Sequence, residues 1–87
     1  MNSDYNKIPE NMMRSMKNYV SKGDKLGGFL QAIFANDLLG SFSRADKTNL
    51  PLISIYVTYV HWETPFQCHG SYEIIQNWIN EKQNLDK

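Results

Sequence analysis

With 87 residues, 41% hydrophobic and 13% aromatic, the chain is long enough for one domain around a single core and too rich in large apolar groups to remain disordered. Nine basic and nine acidic residues cancel to a net charge of zero, so bulk electrostatics gives no reason to expect DNA, RNA or an anionic membrane as a partner. A single cysteine, Cys68, excludes an internal disulfide and a cysteine-rich zinc site and suits a reducing compartment, and no apolar run approaches the ~20 residues that span a bilayer.

Residues 1–7 are polar, carry no apolar signal core and are expected to be flexible. Ile8-Pro9-Glu10 reads as a helix start, with proline where its missing N–H is harmless and an acid near the positive end of the dipole. Met12, Met16, Tyr19 and Val20 form the apolar stripe, with Met13 beside it. Lys22 and Gly23 close the element, predicting a helix over 9–22. Methionines at this spacing are read as core filler rather than as an adaptable binding surface.

The longest helical pattern follows, over Leu26–Leu39. Leu26, Phe29, Leu30, Ile33, Phe34 and Leu38 recur at spacings of three and four, which gathers them on one broad face. Asp24 is the candidate N-cap and Gly40 the candidate stop. Gly27 and Gly28 would each cost ~1 kcal/mol relative to alanine inside a helix, so they imply first-turn placement or close backbone contact. Asn36-Asp37 is a polar interruption. Asp37 is expected to face solvent or cap a neighbouring helix, with Arg44 its nearest counter-ion and Asp46 the competitor for that arginine.

Leu50–Trp62 supports two assignments. Ile53, Ile55, Val57 and Tyr59 alternate as in a strand, while Ile53, Tyr56, Val57 and Val60 fit a helical stripe with Pro51 in its first turn behind a Thr48 or Asn49 cap. The length of the run, and the lack of a second strong strand, favour a helix over 49–63. Pro65 ends it, because proline disfavours the α conformation at Thr64. After the loop Phe66–Gly70, Ser71 caps a last helix over 72–82 with Ile75, Trp78 and Ile79 on its apolar face, and 83–87 are expected to be flexible. The fold predicted is all-α: one domain, 1–87, in which about four helices pack as a small compact bundle around the central apolar helix.

Ile8-Pro9, Tyr19-Val20, Gly27 to Leu30, Asn36-Asp37-Leu38, Arg44-Ala45-Asp46, Asn49, Leu50-Pro51, Pro65, Cys68, Gly70-Ser71 and Trp78 together form a pattern that covers nearly the whole chain. In that pattern the chain resembles a family of small bacteriophage and prophage proteins. The resemblance implies a phage setting, hence the cytoplasm of a host cell, and no particular chemistry. Tyr72 departs from it, standing where a proline would follow Gly-Ser.

His61, Glu63, Cys68 and His69 lie within nine residues and include zinc-ligand types, but their spacing matches no standard zinc motif, so no metal is expected. Cys68 beside His69 lacks the geometry of a nucleophile with its base, since adjacent residues seldom point together. Gly27-Gly28 lacks the preceding strand and the lysine of a phosphate loop. No enzyme activity and no cofactor are expected. The functional reading is a helical interaction protein that binds a host or defence-system protein. The alternative is a helix-turn-helix-like regulator that binds nucleic acid, against which charge neutrality weighs. The candidate partner-binding residues are Asn36, Asp37 and Arg44 with Tyr59 and Trp62, three apart on one helix; Tyr59 and Trp62 equally well close the core. A homo-oligomer is left open.

Overall fold

The computed structural model describes residues 3–85, and every regular element in that span is helical. Helix α1 (Glu10–Lys22) begins behind Pro9, whose carbonyl accepts the N–H groups of Met12 and Met13, each at 3.0 Å. It ends at Gly23, in the left-handed region at φ 74°, whose N–H donates to the Tyr19 carbonyl at 2.9 Å. A Cβ at Gly23 would lie 2.6 Å from the Cβ of Lys82, so glycine is required here both by the turn and by the close passage of the last helix.

The expected single central helix is two. Helix α2 (Gly28–Phe34) stops, the chain turns through Asn36 at φ 61°, and helix α3 (Leu38–Arg44) starts afresh from Asp37. Asparagine tolerates the left-handed region better than other non-glycine residues, and the following aspartate caps, so the Asn-Asp pair acts as stop and start. Asp24 is not the cap of α2. Gly27 holds that position without a side-chain bond, and Gly28 falls in the first turn. Nor is Gly40 a stop: it lies inside α3, where a Cβ would collide with the Asp37 carboxylate and the Arg44 guanidinium.

Leu50–Trp62 is helical. A 3-10 turn, Leu50–Leu52, carries Pro51 and leads into helix α4 (Ile53–Glu63), which ends where Thr64 turns extended before Pro65. Asn49 does not cap by its side chain; its Oδ1 instead accepts the Tyr56 hydroxyl at 2.6 Å. Phe66–Cys68 makes another 3-10 turn rather than open loop. Helix α5 (Tyr72–Leu85) starts from Ser71, whose Oγ accepts the Ile74 N–H at 3.1 Å, and runs beyond residue 82. The described residues thus contain five α-helices, where about four were expected, and no strand. None of these helices is long and apolar enough to cross a membrane.

Short α2 is mostly buried: five of its seven residues lie in the core, and it packs against α3, α4 and α5. Tyr19 from α1 meets Phe34 edge-on at 5.0 Å, and Tyr56 from α4 meets Phe29 likewise at 5.1 Å. Both of these phenols find an acceptor, Tyr19 donating to the Cys68 carbonyl at 2.7 Å. Burial pushes the Tyr56 hydroxyl up to about 12, so it stays a donor at neutral pH. The indole N–H of Trp78 donates to the Tyr19 carbonyl at 3.1 Å, tying α5 to α1.

Ser3–Lys7 forms a 3-10 helix in which Tyr5 packs edge-on against Tyr59 at 5.2 Å and donates its hydroxyl to Glu63. At the other end α5 extends to Leu85. The flexibility expected of residues 1, 2, 86 and 87 lies outside the described residues.

Candidate functional site

The break between α2 and α3 creates the most elaborate polar arrangement on the surface. Asp37 Oδ1 accepts the Gly40 N–H at 2.9 Å, capping α3, while Oδ2 accepts the Tyr72 hydroxyl at 2.6 Å. Arg44 closes the triangle, with Nη1 3.2 Å from the Tyr72 oxygen and 3.8 Å from Asp37 Oδ2. The Tyr72 hydrogen bond, then the Gly40 N–H and the Arg44 charge, hold the Asp37 carboxyl below its usual range. The same bond to Asp37 raises the Tyr72 phenol. α3 is thereby fastened at both ends to the first residue of α5.

Beside this triangle lies a cleft of about 270 Å³. Phe34 and Val60 contribute apolar wall, and Asn36, Asp37, His61 and His69 contribute polar atoms. The Gly70 N–H donates to the Phe34 carbonyl at 2.7 Å, which seats the loop carrying His69 against the end of α2. His69 Nε2 is shielded from solvent and has no hydrogen-bond partner. Burial first, and then the nearby His61, push its pKa down, so the ring is neutral at pH 7.

Of the residues singled out as zinc-ligand types, His61 and His69 line the cleft, while Cys68 and Glu63 have other partners. Cys68 is fully buried in the core, where desolvation pushes the thiol up, and Glu63 accepts the Tyr5 hydroxyl. Among the described residues no three His, Cys, Asp or Glu side chains gather into a group that could hold a metal ion.

The unusual feature is the orientation of α3. Its one buried residue is a serine, Ser41, whose hydroxyl donates to the Asp37 carbonyl at 2.8 Å. Its large apolar side chains face outward: Leu38 is 63% exposed, Leu39 81% and Phe42 51%. Across from them, Leu50 and Val57 are nearly half exposed. Between the two banks runs a groove of about 550 Å³ with no charged residue in its lining, continuous with the cleft through Leu38, Ile53 and Val57.

Of the residues predicted as a binding face, Asn36, Asp37 and Arg44 come together at the α2–α3 corner. Tyr59 does not join them: it is only 9% exposed, with Tyr5 packed edge-on against it, and belongs to the core. Trp62, one turn further, is exposed, its indole edge-on to His61 at 4.6 Å. Three residues around a helix is about 300°, enough to separate a residue at the margin of the core from one in solvent. Sequence reasoning missed Leu39, Phe42 and Tyr72 as site residues, and weighed His69 only as a metal ligand or a base for Cys68. For the first two, the Asn-Asp pair signals the break that makes their segment a separate helix, but not the direction in which that helix faces. No protein-family model matches the chain, and no curated protein or solved structure is significantly similar to it.

Proposed function

We propose that the protein is a small phage-type interaction protein that acts by binding another protein, a host or defence component, through the outward face of α3 and the groove beside it. The observation that carries this reading is the inverted burial of α3, with leucines and a phenylalanine in solvent and a serine inside. Contiguous apolar surface of this kind, rimmed by polar groups, is characteristic of interaction sites. It does not come from a loosely packed chain, because the radius of gyration, 12.4 Å, is what a compact chain of this length has. The Asp37–Tyr72–Arg44 triangle supplies a polar rim whose geometry is already set before a partner arrives.

The nucleic-acid alternative has one point in its favour. α2 and α3, joined by the three residues Ala35–Asp37, have the outline of a helix-turn-helix. The second helix of that pair would have to reach base edges, yet it offers Leu38, Leu39 and Phe42, and its one cation, Arg44, is engaged by Asp37 and Tyr72. Arg14 and Lys7 likewise face Glu10 and Asp4. Binding to DNA is expected to be no tighter than the roughly 10⁻⁴ to 10⁻⁶ M of non-specific contacts at physiological salt.

The test is affinity capture from a host-cell lysate with the wild-type chain and a Leu39→Glu/Phe42→Glu variant, followed by calorimetric titration of the purified candidate. The expected result is one stoichiometric protein retained by the wild type and lost by the variant, with unchanged far-UV circular dichroism. Equal retention by both chains would contradict the assignment of this face. Sequence-specific retention of DNA would favour the regulator.

A further inference from the structure

We propose that the corner between α2 and α3 is a hinge, which at high protein concentration straightens into one continuous helix and lets two copies of the chain exchange their α3–α5 halves in a domain-swapped dimer. The exchange does not depend on what the α3 face binds. It follows from the residues of the corner, from its backbone and from where α3 lies.

The local sequence is that of an uninterrupted helix. Leu26, Phe29, Leu30, Ile33, Phe34 and Leu38 keep spacings of three and four straight across the break, and Phe42 and Ala45 carry the same stripe onward. Ala35, Asn36 and Asp37 include neither glycine nor proline, so no residue of the connection bars a helix. What the bent form imposes instead is Asn36 at φ 61°, a left-handed conformation that costs an L residue more than the helical one. A short, strained connection between two packed halves is the arrangement that invites exchange between copies.

Against this preference, the bend is held by contacts that a continuous helix would lose. The Asp37 N–H donates to the Ala32 carbonyl at 2.9 Å, and the Asp37 carboxylate caps Gly40 and meets Tyr72 and Arg44. In a continuous helix residue 37 would lie in the interior with no N–H to cap, and Arg44, two turns on, would stand about 10 Å further along the axis. The Asp37–Tyr72–Arg44 triangle is thus the latch that keeps the dilute chain a monomer.

Straightening cannot be completed within one chain. In the bent form α3 folds back far enough for the Arg44 side chain to lie against Gly28, where a Cβ would be 3.3 Å from the Arg44 Cδ. In a continuous helix the rise from residue 28 to residue 44 would be about 24 Å. The connection to α4 over residues 45–49 reaches only about 17 Å when fully extended, with loss of the turn in which Asp46 accepts the Asn49 N–H. α4 and α5 must therefore leave α1 and α2 together with α3. That uncovers Phe29, which meets Tyr56 in the monomer, and takes the Cys68 carbonyl from the Tyr19 hydroxyl. The surface shaped to restore both is the same half of a second copy. In the swapped dimer the Trp78 indole of one chain donates to the Tyr19 carbonyl of the other, and the cleft draws Phe34 from one chain and His61 and His69 from its partner.

The experiment refolds wild type, Asn36→Ala and Asn36→Gly from denaturant at micromolar to millimolar protein and measures mass by size exclusion with light scattering. The wild type should pass from monomer to dimer as concentration rises. Alanine is poor in the left-handed region and good in a helix, so Asn36→Ala should lower the dimer dissociation constant about tenfold or more, summed over the two hinges of a dimer. Glycine has the opposite preferences, and Asn36→Gly should raise the constant. Asn36 is exposed, so both variants leave the core intact. Exchange itself is read from spin labels on a Ser21→Cys/Glu81→Cys chain diluted into unlabelled chain, the two labels flanking the point where Gly23 passes Lys82. The short intrachain distance of the monomer should be replaced by a long one in the dimer. A wild type that refolds only to monomer at millimolar concentration overturns the proposal. So do Asn36 variants that move the constant in the same direction or not at all, and a dimer that keeps the short distance, which is surface association without exchange.

Discussion

The two sides of α2 obey opposite rules. Toward α1 and α5, helical apolar stripes do what they normally do: Met16, Tyr19 and Phe34 are wholly buried, their rings meet edge-on, and the Tyr19 hydroxyl has an acceptor. Toward α3 the chain presents a second amphipathic helix whose apolar side is turned away from the core. Both segments read as hydrophobic, and both are helical. What differs is what holds them: the first is fixed by burial, whereas α3 is fixed by a capping aspartate, a tyrosine hydroxyl and an arginine at the surface. A helix positioned by polar contacts at its ends is free to spend its apolar face on something outside the chain.

The largest expected contrast is in truncation. Phe34→Ala, in the buried half of the comparison, is predicted to cost roughly 3 to 5 kcal/mol, and Ile33→Ala roughly 2 to 5 kcal/mol, most of the stability of a domain this size. Denaturant midpoints measure this directly. A Phe34→Ala chain that unfolds at the wild-type midpoint would mean that Phe34 is not packed in the core.

A smaller effect is expected at the corner that holds α3. Tyr72→Phe removes the hydroxyl that Asp37 and Arg44 share, and Asp37→Ala removes the cap as well, so melting temperatures should fall by a few degrees, more for Asp37→Ala. The sign of the pH dependence follows from the lowered carboxyl. The contribution of Asp37 is present above the unfolded-state value of 3.8 and is lost as pH falls below it through the folded-state value. Tyr72→Phe should therefore unfold with a shallower acid limb below pH 3.8 than the wild type. Superimposable acid limbs would show that the triangle does not hold α3.

The smallest effect belongs to the cleft. His69 is held neutral by burial, with its pKa below the ordinary 6.5, so the unfolded chain takes up a proton there before the folded chain does. Stability should be flat above pH 6.5 and decline as pH drops from 6.5 toward the folded value, and His69→Phe should remove that decline. Proton titration by NMR checks the order. A His69 resonance that titrates above 6.5 would place the ring in contact with an acid rather than against the Phe34 wall.

Much of this architecture is legible in the residues themselves. The 3.6-residue stripes and the Pro9, Gly23, Pro65 and Ser71 punctuation locate α1, α4 and α5 within a few residues, because each of those signals acts locally. The strand alternative for Leu50–Trp62 fails for want of a partner strand, which is a global condition that β-branched content cannot reveal. The split of the central helix was marked by Asn36-Asp37, but an apolar period running unbroken across the pair from Phe34 to Leu38 masked it. The direction in which α3 faces was not legible at all. Periodicity establishes that a helix has an apolar side and is silent on whether the group that covers it belongs to the same chain. Tyr59 and Trp62 parted for a similar reason: the N-terminal 3-10 helix brings Tyr5 over Tyr59, a tertiary contact across more than fifty residues that no local pattern announces.

The central claim, that α3 displays a binding face rather than a core face, is tested most directly by a Leu38→Ser/Leu39→Ser/Phe42→Ser chain. Its denaturation is measured at a concentration where the chain is monomeric, beside capture of the partner. An unchanged midpoint, to within about 1 kcal/mol of wild-type stability, together with loss of capture is the predicted result. A midpoint that collapses as it does for Phe34→Ala would contradict the account, because those three side chains would then be packed inside the monomer in solution.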